Sequence, residues 1–183
     1  MNRQTENRRV RMTKRLMKDA LLELLEQTDL SSVSVTAVCN AADVHRSTFY
    51  KYYSCPSDLL QEIEQEVLDR IPAPMMEQNQ HGEKNTLMAM TDFLDYVKGN
   101  EKVFRILFSE SVNSGFASRL VELLSSRYFT EMEEENALSS RYLRLYIISG
   151  VVGMLREWMN DGFPGSSRKI AEMMRAFSVK LTR

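Results

Sequence analysis

The chain has 183 residues but only seven glycines, four prolines, two cysteines, two histidines and one tryptophan. Each shortage excludes a class of protein. Cys39 and Cys55 stand apart, with no second cysteine or histidine at ligand spacing, so neither a disulfide framework nor a zinc site is expected. His45 and His81 are the only histidines, and no glycine precedes Gly82. A glycine-rich phosphate loop, a nucleophile elbow and a histidine-based catalytic site are therefore not expected, and the chain reads as no enzyme, with no metal and no cofactor. Long apolar runs are missing too. "LYIISGVVGML" at 145 to 155 is bracketed by Arg144 and Arg156 and is too short to span a bilayer, and the start shows no signal-peptide pattern. The expectation is a cytoplasmic, globular protein.

Net charge is also nearly absent, at −1, but it is unevenly distributed. Residues 1 to 53 hold nine Lys or Arg against six Asp or Glu, and in residues 1 to 18 Arg3, Arg8, Arg9, Arg11, Lys14, Arg15 and Lys18 face only Glu6. That end is a candidate for binding a polyanion, and a solvated helix start is the alternative.

Strand patterning is confined to "SSVSVTAV", which has no partner stretch elsewhere, so the chain is read as all-α. Over 8 to 28, Val10, Thr13, Met17, Ala20, Leu21, Leu24 and Leu25 recur at spacings of three and four, the stripe of an amphipathic helix. Ser34 suits an N-cap for a short helix over 35 to 42, and Arg46 to Tyr53 restarts the helical pattern after about three residues. That is helix-turn-helix spacing. Asp43 falls where such a turn often needs a positive φ, which Asp tolerates. Pro56 suits the first turn of a helix through 71. Helical patterns then cover 87 to 100, 101 to 113, 116 to 136, 139 to 162 and 166 to 181. The expected architecture is about nine helices: a three-helix domain over 1–55, then a helical bundle over 56–183.

"DVHRSTFYKYY" gathers five hydroxyl-bearing side chains with Arg46 and Lys51. On a helix from Arg46, Phe49 and Tyr53 turn inward to pack with Val38, Ala42 and Val44, and Arg46, Ser47, Thr48, Tyr50 and Lys51 are left to meet a ligand. Arg reads guanine, Thr reaches a base or a thymine methyl, and Lys and Tyr reach phosphate oxygens, so duplex DNA is the expected partner. A polar outer face with no ligand is the alternative.

"SVTAVCNAADVHRSTFYKYYSCPSDLL" over 34–60 resembles the DNA-binding signature of the TetR family of bacterial transcriptional regulators. Val35, Val38, Ala42, Val44, Thr48, Phe49, Tyr50, Tyr52, Asp58 and Leu59 carry the match. The resemblance implies a homodimer, a recognition helix in the major groove and a ligand-binding C-terminal domain. It places Thr36 on phosphate, Arg46, Ser47 and Thr48 nearest the bases, and Tyr50, Lys51 and Tyr52 on the backbone. It also implies a helix-turn-helix core of Val35, Val38, Ala42, Val44, Phe49 and Tyr53. Three departures stand out. Asp43 replaces a turn glycine, His45 a serine N-cap, and Cys55-Pro56-Ser57 the usual Ser-Lys-Glu, which removes a lysine that commonly meets phosphate. His45 and the N-terminal arginines are the candidates to compensate. The same departure keeps open a partner-dependent co-activator with weak DNA binding of its own. The last two helical stretches resemble a subgroup that includes regulators associated with dihydroxyacetone kinase genes.

In the C-terminal part, the stretch over 142–159 is apolar nearly all round. With Tyr142, Tyr146, Gly150, Gly153, Met173 and Phe177 it suits an intersubunit four-helix bundle, the rival being an intrachain core. Met88, Phe93, Tyr96, Phe104, Phe108 and Phe129 are the candidate lining of an effector pocket, with plain core packing as the alternative. The default expectation is a ligand-responsive homodimeric repressor that binds a pseudo-palindromic operator.

Overall fold

A computed structural model describes residues 8–72, 82–109, 112, 115–127 and 137–181. Among them are nine α-helices, one short 3-10 turn at Leu30–Ser32, and no strand. The helices are α1 (Arg8–Leu25), α2 (Val35–Ala41), α3 (Arg46–Tyr50), α4 (Pro56–Leu68), α5 (Gly82–Gly99), α6 (Glu101–Leu107), α7 (Phe116–Arg127), α8 (Ala137–Asn160) and α9 (Ser167–Leu181). The all-α expectation holds. None of these helices is long and apolar enough to cross a membrane, and no cluster of three or more His, Cys, Asp or Glu among the described residues could hold a metal ion.

The backbone divides into two compact units, 1–67 with 109–114, and 68–108 with 115–183. In the first, α1 buries Met17, Ala20, Leu21, Leu22 and Leu25. These positions fall on one side of a 3.6-residue period, which leaves the arginines of the same helix to solvent. Local chemistry then sets the short helices. Ser34 caps α2, its side chain accepting from Ala37 N at 3.1 Å. Asp43 turns the chain with φ of 50°, the left-handed region, and Val44 N closes the turn on Cys39 O at 3.0 Å. Pro56 opens α4, where its missing N–H costs nothing. The Asp58 carboxylate reaches back to Ser54 N at 2.8 Å and accepts from Cys55 Sγ at 3.5 Å. Those bonds from Ser54 hold the Asp58 carboxyl below its ordinary value. α4 ends at Leu68, short of the expected 71; Pro72 has no N–H to give to the Leu68 carbonyl, its ring crowds that carbonyl, and it disfavours helical backbone at Ile71.

The second unit is built around Phe104, which is fully buried and meets Phe93, Tyr96, Phe108 and Phe116 with ring centroids 5.8 to 6.4 Å apart. α6 stops at Leu107, shorter than the pattern over 101–113. Elsewhere in the unit, Ile71, Met90, Phe93, Leu94, Leu120, Leu124, Val152 and Met174 are among the wholly apolar lining of a void of about 30 Å³. α8 ends in a Schellman motif, with Gly162 N on Met159 O at 3.1 Å and Phe163 N on Trp158 O at 2.8 Å. Phe163 accepts a φ of 61° there, unusual for an aromatic residue, and packs edge-on against Trp158 at 4.8 Å. Trp158 Nε1 donates to Pro164 O at 3.0 Å, so the buried indole is satisfied.

Candidate functional site

α3 is only five residues long, and one aromatic ring holds it in place. Phe49 is fully buried and packs against Tyr53 with ring centroids 5.6 Å apart. Val38, Ala42 and Tyr53 are buried with it, while Val35 and Val44 are half-buried. With that face inward, Arg46, Ser47, Tyr50 and Lys51 are exposed, Tyr50 at 59%, and Thr48 and Tyr52 are half-buried. The N-terminus of α3 is capped by His45, whose Nδ1 accepts from Ser47 N at 3.4 Å and lies 2.9 Å from Ser47 Oγ. Arg46 donates to Thr36 Oγ1, which joins the start of α3 to the start of α2. A helix-turn-helix thus presents a guanidinium, hydroxyls and an ammonium on one outward face. Cys39 lies beneath it, and burial pushes its thiol up despite the nearby Arg46, as in an unreactive core cysteine.

Sequence reasoning missed the group that ties α1 to α4 and to the residues after α3. Glu62 accepts from Lys14 Nζ at 3.1 Å and from Tyr53 Oη at 3.0 Å, and it pairs with Lys18 Nζ at 2.6 Å. Lys18 also reaches Glu66 at 2.6 Å. The signal was available: Lys14 and Lys18 are four apart on α1, as are Glu62 and Glu66 on α4, two stripes of opposite sign. Burial pushes the Glu62 carboxyl up, but the bonds from Lys18 and Lys14 outweigh it and leave the group below its ordinary 4.5. Burial pulls Lys18 down, and Glu62 and Glu66 outweigh it, leaving it above 10.5. A carboxylate with a lowered folded pKa contributes fully above its unfolded value and loses that contribution as pH falls through the folded one. The raised Lys18 does the reverse, its contribution fading as pH rises through its folded pKa. Glu62→Gln is therefore expected to cost about 1 to 2 kcal/mol at neutral pH. It should also flatten the acid side of the stability curve below about 4.5, as read by urea unfolding at pH 7 and pH 3.

The other expected sites lie in the second unit. Tyr142, Tyr146, Met173 and Phe177 are exposed, at 61, 67, 38 and 48%, and Leu145 joins them at 46%. Gly150 and Gly153 share the exposed side of α8, and a Cβ added at either would meet nothing within 4 Å. Ile148, Val152, Leu155 and Trp158, on the opposite side of the helix, are buried. Of the expected pocket residues, Phe93, Phe104 and Phe108 are buried and Tyr96 half-buried, packed on one another, and Phe93 also lines the 30 Å³ void. Met88 is 66% exposed, and Phe129 lies outside the described residues.

Comparison with known proteins follows this geometry. A family model of the TetR type, described as the C-terminal region of transcriptional regulators, matches residues 84–180, just over half of the chain. A TetR transcriptional regulator from Streptococcus agalactiae superposes with a TM-score of 0.68 at 18% identity, covering 93% of this chain and 96% of that one. NalD, the secondary repressor of the MexAB-OprM multidrug efflux pump in Pseudomonas aeruginosa, gives 0.62 at 20% identity, with 95% and 97% covered. The dihydroxyacetone kinase operon activator DhaS gives 0.61 at 18%, with 92% and 94% covered. At these identities the likeness is one of fold. The curated protein sequences contain no match.

Proposed function

The chain belongs to the TetR family of transcriptional regulators, and on that premise we propose that it is a homodimeric repressor that binds a pseudo-palindromic operator and releases it when a small-molecule effector binds. Members of that family are regulators rather than enzymes. In this reading residues 1–55 read DNA and residues 56–183 dimerise and bind the effector, and the protein works in the cytoplasm, where the operator is. The observation that carries it is the outward face of α3, where Arg46, Ser47, Tyr50 and Lys51 stand exposed over a buried Phe49.

Each subunit has a role for each side chain. Arg46, Ser47 and Thr48 meet base edges, and Thr36, His45, Tyr50, Lys51 and Tyr52 meet phosphate or sugar. One five-residue helix reads too few bases for specificity, and a two-fold axis doubles the reading. The exposed aromatic face of α8 and α9 provides that axis. It is an apolar patch with room for close approach at Gly150 and Gly153, and an isologous partner would cover it.

A second reading has one observation in its favour. At the N-terminus of α4, Pro56 stands where the TetR signature carries lysine, and the Asp58 carboxylate of the same turn accepts from Ser54 N at 2.8 Å, which fits a regulator that needs a partner protein to hold DNA. Selection of random duplex DNA by the purified protein, followed by salt titration of the enriched site, separates the two. The repressor reading expects an inverted repeat whose affinity falls on the order of a thousandfold between 50 and 200 mM salt. Failure of a folded dimer to enrich any sequence would favour the partner-dependent reading.

A further inference from the structure

Thr36 is the second residue of α2 and Arg46 the first of α3, ten residues apart in the chain. The turn between them brings the two together. Asp43 takes the left-handed region and Val44 N closes on Cys39 O at 3.0 Å, so the chain doubles back and α3 starts beside α2. Arg46 then donates from Nη2 to Thr36 Oγ1. Its charge is also felt at Cys39, one turn further along α2, so the guanidinium stays close to that helix.

The choice of tether has chemical consequences. Arg46 has no ion pair among the described residues, and a neutral hydroxyl fixes the direction of its guanidinium without cancelling its charge. A carboxylate in that place would satisfy the arginine and compete with DNA for it. One bond to Thr36 leaves enough N–H groups for the forked contact with a guanine edge. The hydroxyl has capacity to spare as well: it accepts from Arg46 and keeps its own O–H to donate. Accepting from a cation polarises that O–H into a stronger donor, and the acceptor it would meet on duplex DNA is a phosphate oxygen. Arginine is also among the costliest side chains to immobilise, and a guanidinium already held in the free protein gives up less freedom when DNA arrives.

We propose that Thr36 is the positioning residue for Arg46: its hydroxyl accepts from the guanidinium and donates to a DNA phosphate at the same time, so the backbone contact sets the direction in which Arg46 reads a base. Thr36 thereby contributes to sequence discrimination without touching a base. The inference rests on the DNA-binding reading above and names how two of its side chains work together.

The test uses the full chain, the selected operator and a scrambled duplex of the same composition, with affinities read by fluorescence anisotropy. Thr36→Val keeps the shape of the side chain and removes the hydroxyl. It should weaken binding to both duplexes through the lost phosphate contact and, in addition, lower the ratio of operator to scrambled affinity on the order of tenfold, one hydrogen bond in each of two subunits. Thr36→Ser restores the hydroxyl and should restore the ratio. In an Arg46→Ala background Thr36→Val should leave the ratio where Arg46→Ala alone puts it, because no guanidinium remains to be held. In the free protein the order parameter of the Arg46 Nε–H, read by NMR relaxation, should fall in Thr36→Val and recover in Thr36→Ser. Circular dichroism checks that each variant is folded. A ratio that Thr36→Val leaves unchanged or raises, while Arg46→Ala lowers it, would overturn the assignment and leave the DNA-reading face intact; so would a Thr36→Ser variant that restores nothing. If Arg46→Ala leaves the ratio unchanged, Arg46 reads no base and this inference falls with that reading. An order parameter as low in the unmodified chain as in Thr36→Val overturns the tether without any DNA, even where no operator is enriched.

Discussion

Replacing Tyr146 and Phe177 together with aspartate is expected to turn the proposed dimer into a monomer with its fold intact. Both side chains are exposed in the single chain, so their loss leaves no cavity and removes no intrachain packing of consequence. In an isologous interface each change occurs twice, and an aromatic anchor at the centre of an interface contributes on the order of 2 kcal/mol or more. The double variant should therefore weaken association at least about a thousandfold. Sedimentation equilibrium reads the mass directly. Ile148→Asp, on the buried side of the same helix, is the contrasting change and should unfold the second unit instead. A double variant that stays dimeric would move the two-fold axis to another face. Operator binding should fall with dimerisation, because a monomer reads one half-site.

Arg46→Ala should abolish sequence discrimination while leaving the protein folded. A bidentate Arg–guanine pair contributes roughly 1 to 3 kcal/mol, and a symmetric operator uses two, so the expected loss runs from about thirtyfold to ten-thousandfold. In the free protein Arg46 is exposed and bonded to Thr36, and losing one such bond costs about 1 kcal/mol or less. Lys51→Ala provides the comparison. A phosphate contact carries no sequence information, so this change should weaken binding evenly across sequences and lower the salt slope by about one per subunit. Anisotropy on the selected operator and on a scrambled duplex distinguishes the two patterns. If Arg46→Ala leaves the ratio of the two affinities unchanged, the base-reading side chains lie elsewhere on α3.

The parts of this fold that could be read in advance are those decided within a few residues. Ser34 caps α2, Asp43 takes the left-handed turn, and Gly99 and Gly162 mark helix ends because one side chain or one φ value settles each. The outward face of α3 belongs with them, since helical periodicity sends Phe49 inward and Arg46, Tyr50 and Lys51 outward. Contacts between distant residues were harder to read. The Lys14, Lys18, Tyr53 and Glu62 group joins residues up to 48 apart, and the bond from Ser167 Oγ to Asp95 spans 72. Aromatic spacing on α5 and α6 could not distinguish a ligand pocket from a core, because both need apolar residues at the same period.

The apolar cavity of about 30 Å³ lined by Ile71, Met90, Phe93 and Leu94 has room for a water molecule but offers it no polar partner, so water is disfavoured there. A dry hole makes the folded chain bulkier than its atoms require. Hydrostatic pressure then favours unfolding, which eliminates that volume, and the second unit holds a compressible spot where helices α5, α7, α8 and α9 converge. Heat acts mainly through chain entropy and hydration, whereas pressure acts through volume, so the two need not weaken this protein in the same place.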